Sequence, residues 1–342
     1  MANKKINYNL YLFEFIFAFL VILVHVDFYE QNVVFDALGR STVLFFFIFS
    51  SYFYCKTLEK ENFSYKISIK KAFRLLLICF GAYVGYFVLL LPLNIKLYGL
   101  PQIFYEFNFE NIINLFNLYF PNVSFLWFML SLAICYLVFP FIYKVKHIFI
   151  KKYSIIIPLS ILVSVYIFRI IVGILNNEFS NILFGVEVTR NALFTGLPCF
   201  LIGAYLYHHL NDIKKVNTSI CLKLFIFFLL TSMVEGILHH ILKSDFNEFY
   251  ISSIFISCLA VVYSLRTPYT IFGDKVHQLF GSHGPTVIYL SHSFFIVIFE
   301  TILIFEYSPF LIALIALILS ILLALLFNLL LKSIKRIKLN KS

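Results

Sequence analysis

Charge is what this chain lacks. Only 13% of its 342 residues are Asp, Glu, Lys or Arg, against about 25% in a soluble domain. Hydrophobic residues make up 61% and the mean hydropathy is +0.93. A water-soluble globule is thereby excluded, and the composition is that of a multi-pass integral membrane protein. Other absences narrow the function. No GxxxxGK[ST] and no GxGxxG occurs, so ATP-driven transport and dinucleotide chemistry have no support. The six cysteines are scattered through apolar runs with no CxxC pair, and they read as small buried hydrophobes. His pairs stand at 208–209 and 239–240. Adjacent side chains on a helix point about 100° apart, which makes a poor metal site. No cleavable signal is recognised, because the first apolar run is too long and lacks a small-residue exit; a retained first span is expected. Beyond residue 331 only a basic tail, 332–342, is expected, with no appended soluble domain. The 44 phenylalanines point to a low-GC, bacterial genome.

What is present is a series of apolar stretches, each about the 20 residues needed to cross a bilayer. Ten are expected: 9–29, 41–58, 72–92, 124–143, 154–172, 190–208, 219–238, 250–265, 283–302 and 309–331. Lipid offers no hydrogen bonds, so each must be helical. The expected fold is an all-α bundle of about ten transmembrane helices forming a single domain over 1–342. With both termini cytoplasmic, 22 of the 27 Lys and Arg residues fall inside. That asymmetry orients the chain. The formal charge of +10 is then a property of loops facing an anionic leaflet, not a nucleic-acid signal. Acidic residues sort outward: Asp27, Glu30, Asp36, Glu106, Glu110, Glu178, Glu187, Glu235, Asp245, Glu248, Glu300 and Glu306. Asp27, Arg169, Arg190, Asn191, Glu235, His239 and His240 stand at outer helix ends. They read either as a polar vestibule or as interfacial snorkelling. The outer stretch 93–123, rich in Asn, Phe and Tyr, is the longest loop and a candidate interfacial cap.

Glu14 and His25 sit in the first span, eleven residues apart. Eleven residues are about three helical turns, so both lie on one face, about 16 Å apart along the axis. Histidine is the side chain suited to take and return a proton near neutral pH. The plain alternative is a structural histidine.

Several blocks, in order along nearly the whole chain, decide between these readings. They are His25 in the first helix, STVLFFFIFSSYFY (41–54), KKAFRLLL (70–77), SFLWFMLSLAICYLVFPFI (124–142), TRNALFTGLPCFLIGAYL (189–206) and VIYLSHSFFIVI (287–298). Together they resemble the membrane-bound acyltransferase family 3, the bacterial multi-pass O-acyltransferases. The chain departs from the pattern at Glu14, where the family has Arg, at Ser51 for Gly and at Leu77 for Pro.

The resemblance implies transfer of an acyl group, usually acetyl, from cytoplasmic acetyl-CoA or another acyl-CoA to a hydroxyl of an extracytoplasmic glycan. No bound cofactor is implied, since the acyl-CoA is the donor substrate. His25 would be the general base or the covalent acyl carrier. Lys70, Lys71 and Arg74 would meet the CoA phosphates; the alternative is ordinary positive-inside anchoring. Glu14 occupies the donor-binding position and cannot itself bind phosphate. Trp127 would stack on a sugar ring or belong to the aromatic belt. Arg190, Asn191 and His292 are the remaining acceptor-side candidates; for His292 the alternative is a hydrogen bond to another helix. The implied partners are the lipid bilayer, a glycan or lipid-linked saccharide and glycosyltransferases of the same pathway, in the bacterial cell membrane. Two competing readings stay open: a transport or export domain of the same fold, and a non-enzymatic partner in polysaccharide assembly.

Overall fold

A computed structural model describes residues 6–25, 37–98, 126–145, 155–175, 190–241, 249–302 and 309–339. Among them there is helix and turn but no strand. The helices are α1 (Tyr8–His25), α2 (Thr42–Lys60), α3 (Tyr65–Tyr98), α4 (Trp127–Val145), α5 (Ile156–Leu175), α6 (Leu197–His208) and α7 (Leu210–Ile213). They continue with α8 (Thr218–Ile241), α9 (Ile251–Arg266), α10 (Ile271–Phe280), α11 (Gly284–Ile302) and α12 (Pro309–Leu339). A π-helical turn, Ala192–Gly196, leads into α6, and a 3-10 turn, Gly281–His283, joins α10 to α11.

Each of the ten expected apolar stretches carries helix. Among the described residues, five helices are long and apolar enough to cross a membrane: Tyr8–His25, Ala37–Lys60, Tyr65–Leu91, Thr218–Ile241 and Phe310–Ile334. The count is six if Ile251–Arg266 and Ile271–Phe299, bent by 100°, form one broken span. The apolar parts Trp127–Tyr143, Ile156–Phe168 and Ala192–His208 are shorter. Seventeen residues rise about 26 Å, a little under a hydrocarbon core of about 30 Å.

Two boundaries differ from expectation for local reasons. α3 starts at Tyr65 rather than 72, so Lys70, Lys71 and Arg74 stand on its first turns. α12 runs to Leu339, so most of the expected basic tail is helical; Lys and Arg are good helix formers. Two helices were not expected, the single turn α7 and the ten-residue α10; α10 has clear end signals. Thr270 Oγ1 accepts from Gly273 N (3.0 Å) at its start, and Gly281 at φ +65° ends it.

The chain divides into two compact units. The first comprises Met1–Phe45, Asp212–Ile237 and Ser252–Ser342. In it α1 packs on α10, α11 and α12, and α11 lies along α12. Side chains pin α1 at its start: Asn7 Nδ2 donates to Ser264 O (2.8 Å), and Asn9 Nδ2 to Thr267 Oγ1 (2.7 Å). Buried serines tie backbones together, Ser232 Oγ to Ala37 O (3.0 Å) and Ser257 Oγ to Ser41 O (2.8 Å). Such bonds and close packing replace the hydrophobic driving force, which is absent between helices in lipid.

The second unit comprises Phe46–Asn211 and Leu238–Ile251. α3 packs on α4, and the π turn and α6 pack on α4 and α5. Its centre is aromatic: Phe200 meets Phe47, Tyr54, Tyr136 and Phe139 at ring-centroid distances of 5.5–6.4 Å. α6 touches α2 backbone to backbone at Gly203, where a Cβ would fall 2.3 Å from Ile48 O. Ser51 Oγ donates to Phe200 O (2.5 Å) at the same crossing.

Candidate functional site

His25 is the last residue of α1 and its side chain is exposed. α11 brings His292 against it, with ring centroids 5.1 Å apart and planes tilted 40°. These two residues are 267 positions apart in the chain and belong to the same unit. His292 is 0% exposed. Its Nδ1 lies 2.6 Å from Tyr289 O. A carbonyl can only accept, so Nδ1 carries the hydrogen and donates it. In the neutral ring Nε2 is then the acceptor, and Ser293 Oγ–H stands 3.0 Å from it. The buried imidazole is thus held in one tautomer by its own helix, and a second imidazole rests on it with a face open to the surroundings. An accessible histidine fixed in orientation by a buried neighbour suits proton transfer.

Glu14 lies three turns earlier on α1, half-buried. It makes no hydrogen bond or ion pair with any described residue.

The other expected site residues lie in the second unit. Lys70 and Arg74 are exposed on α3. Lys71 is half-buried, its Nζ over the rings of Tyr54 (5.3 Å) and Tyr136 (5.1 Å). This cation–π clamp engages its charge. Trp127 opens α4, half-buried, with its ring 6.4 Å from that of Phe47. Arg190 is half-buried. Asn191 caps the π turn, its Oδ1 accepting from Leu193 N and Phe194 N at 2.9 Å each. Short π segments recur at functional sites.

Among the vestibule candidates, Glu235 accepts from Ser252 N (2.9 Å) and Ser252 Oγ, capping α9. His239 Nε2 bonds Tyr166 OH (2.8 Å) and its ring stacks on Tyr250; His240 is exposed. Asp27, Glu30, Asp36, Glu106, Glu110, Glu178, Glu187, Asp245, Glu248 and Glu306, the side chains of Arg169 and Glu300, and the loop from 99 to 123 lie outside the described residues. Residues 93–98, expected in that loop, continue α3.

One polar cluster escaped the sequence reading. Tyr143 OH donates to Glu59 Oε1 (3.0 Å) and meets His208 Nε2 (2.5 Å), while Tyr207 OH donates to Glu59 Oε2 (2.8 Å). A carboxylate at the end of an apolar helix facing the His208–His209 pair was the available signal. Among the described residues no group of three or more His, Cys, Asp or Glu side chains is placed to hold a metal ion.

No curated protein and no solved structure matches the chain. A family of acyltransferase domains matches residues 7–329, from just before α1 to within α12. By this match over nearly its whole length, the chain belongs to that acyltransferase family.

Proposed function

We propose that the protein is a membrane O-acyltransferase of the bacterial cell membrane. It takes an acyl group, acetyl in the simplest case, from cytoplasmic acyl-CoA to a hydroxyl of an extracytoplasmic glycan or lipid-linked saccharide. The carrying observation is the open His25 imidazole backed by the buried His292, in a chain of the acyltransferase family. With both termini cytoplasmic, as the Lys and Arg asymmetry is read, the start of α1 is on the donor side and His25 on the acceptor side.

In this reading His25 is the general base. The acceptor oxygen attacks the thioester carbonyl as His25 takes its proton. The C–S bond breaks, the thiolate recovers that proton, and the products are an ester and free CoA. The full burial of His292 suits support of His25 better than contact with a polymeric acceptor. Lys70 and Arg74 are the exposed cations of α3 for the donor phosphates. Trp127, Arg190 and Asn191 are the acceptor-side candidates. Glycosyltransferases of the same pathway would supply the acceptor.

The test is transfer of labelled acetyl from acetyl-CoA by the purified protein in liposomes. Replacing His25→Ala should lower the rate by about 10²–10⁴-fold, the usual contribution of a general base, with the folded yield unchanged. A His25→Ala variant at full rate refutes the assignment. Solute uptake with no loss of acetyl from CoA replaces the reading with transport.

A further inference from the structure

We infer that the first unit holds an anionic glycerophospholipid by its phosphate headgroup, in a cavity between α10, the 3-10 turn and α12. The site stands apart from the acyl-transfer reading above, in which Lys70 and Arg74 of α3 meet the donor.

The cavity holds about 700 Å³, within the range of small-molecule sites. His277, Gln278, Ser282, His283 and Lys332 give its polar wall, and Phe280 and Leu331 belong to its apolar wall. Asn328, Lys332 and Arg336 follow one another at four-residue intervals, so they climb a single face of α12. Lys332 and Arg336 are exposed there, as Lys275 is on α10. The acid of α10, Asp274, accepts a hydrogen bond from Gln278 Nε2 (3.1 Å). The formal charge around the cavity is therefore positive.

A helix C-terminus ordinarily repels an anion, but the last carbonyls of α10 are occupied. Asn328 Nδ2 donates to Leu279 O (2.6 Å), Lys332 Nζ to Gln278 O (3.0 Å) and Tyr11 OH to Gly281 O (2.5 Å). An ammonium has three donors, so Lys332 keeps two for a phosphate. The hydroxyl of Ser282 and the amide of Gln278 suit the hydroxyls of a glycerol headgroup.

Depth selects a lipid over a soluble phosphate. The apolar span of α12 ends at Ile334, and the wall residues Leu331 and Lys332 lie within a turn of that end. This is the level of the headgroups, just outside the hydrocarbon. α10 is built for the same level. The chain turns by 100° between α9 and the helical stretch that α10 opens. Ile271, Phe272 and Leu279 are 67%, 65% and 56% exposed along one side of α10, with Lys275 among them, while Gly273, Val276 and Phe280 are buried on the other. An amphipathic helix with its apolar side outward lies in the interface. On α12, Leu330 and Ile334 are exposed as well. A diacyl phospholipid uses both features, its phosphate in the cavity and its chains along the apolar surface beside it; a soluble phosphate leaves that surface bare. A choline headgroup brings a cation toward Lys332, Arg336 and Lys275, so the site prefers a lipid of net negative charge.

The experiment is native mass spectrometry of the full chain released from micelles of phosphatidylglycerol and phosphatidylcholine in equal amounts. The wild-type chain should retain one phosphatidylglycerol in preference. Lys332→Ala should cut that preference about fivefold, the contribution of one cation near a membrane surface, and Lys332→Arg should keep it. Ser282→Trp, which fills the cavity from an exposed wall position without altering charge, should cut it at least as far. Lys223→Ala on α8, also the loss of one exposed cation, should leave it unchanged. Wild-type preference in both Lys332→Ala and Ser282→Trp overturns the inference. So does an equal fall in Lys223→Ala, which would mean diffuse attraction to surface charge rather than a seat. Displacement of the retained lipid by glycerol phosphate or CoA assigns the cavity to a soluble phosphate and overturns it too. None of these outcomes touches the functional reading, which stands or falls with acetyl transfer and its dependence on His25.

Discussion

Gly203→Ala is the substitution whose cost the structure lets us work out. The new methyl would sit 2.3 Å from Ile48 O and 2.7 Å from Ser51 Cβ. One of these contacts is backbone, which no rotamer change relieves. α6 has to withdraw from α2 by about 1 Å to restore ordinary contact. Ser51 Oγ to Phe200 O, now 2.5 Å, then stretches to the edge of hydrogen bonding. Overpacking costs about 1–3 kcal/mol and the weakened buried bond about 0.5–1.5 kcal/mol. Alanine's better helix propensity returns up to about 1 kcal/mol. The net expectation is a loss of about 0.5–4.5 kcal/mol, read from unfolding in a detergent titration. Ser51→Gly in the same chain removes the Cβ contact but not the carbonyl contact, so it should recover part of the loss. A Gly203→Ala protein as stable as the parent would mean that the two helices do not meet at this glycine.

His292→Ala should lower acetyl transfer about 10–100-fold, less than His25→Ala, because only the support of the imidazole is lost; each factor of ten corresponds to about 1.4 kcal/mol. Its signature is an altered pH–rate profile and faster modification of His25 by diethyl pyrocarbonate, and an unchanged profile at full rate refutes the supporting role. Tyr143→Phe removes the donor to Glu59 and the contact with His208 while Tyr207 still serves the carboxylate. It should cost about 1–3 kcal/mol in unfolding, and no change in midpoint would show that the cluster contributes nothing to stability.

The sequence carried the helices well because hydropathy reports a property each segment has by itself. Each of the ten apolar stretches carries helix, though among the described residues only five or six helices are long and apolar enough to cross a membrane. α10 was overlooked because IFGDKVHQLF is short, amphipathic and lies between two longer apolar runs. Its Thr270 cap and Gly281 stop were the readable marks. The site was harder for a different reason. Helical spacing puts Glu14 and His25 on one face, but it cannot say which helix lies against that face. Only the fold brings His292 of α11 to His25. Likewise Lys71 looked like its neighbours Lys70 and Arg74, yet Tyr54 and Tyr136, far from it in sequence, single it out.

α1 gives the proposed chemistry a mechanical basis. The helix is fixed near its start by Asn7, Asn9 and Tyr11 and near its end by the His25–His292 contact. Gly39 adds to this end, approaching so closely that a Cβ would lie 2.1 Å from Val24 Cγ2. An eighteen-residue helix held at both ends is a rod of nearly constant length. The distance between its Tyr11 end and its His25 end is therefore set by the helix itself.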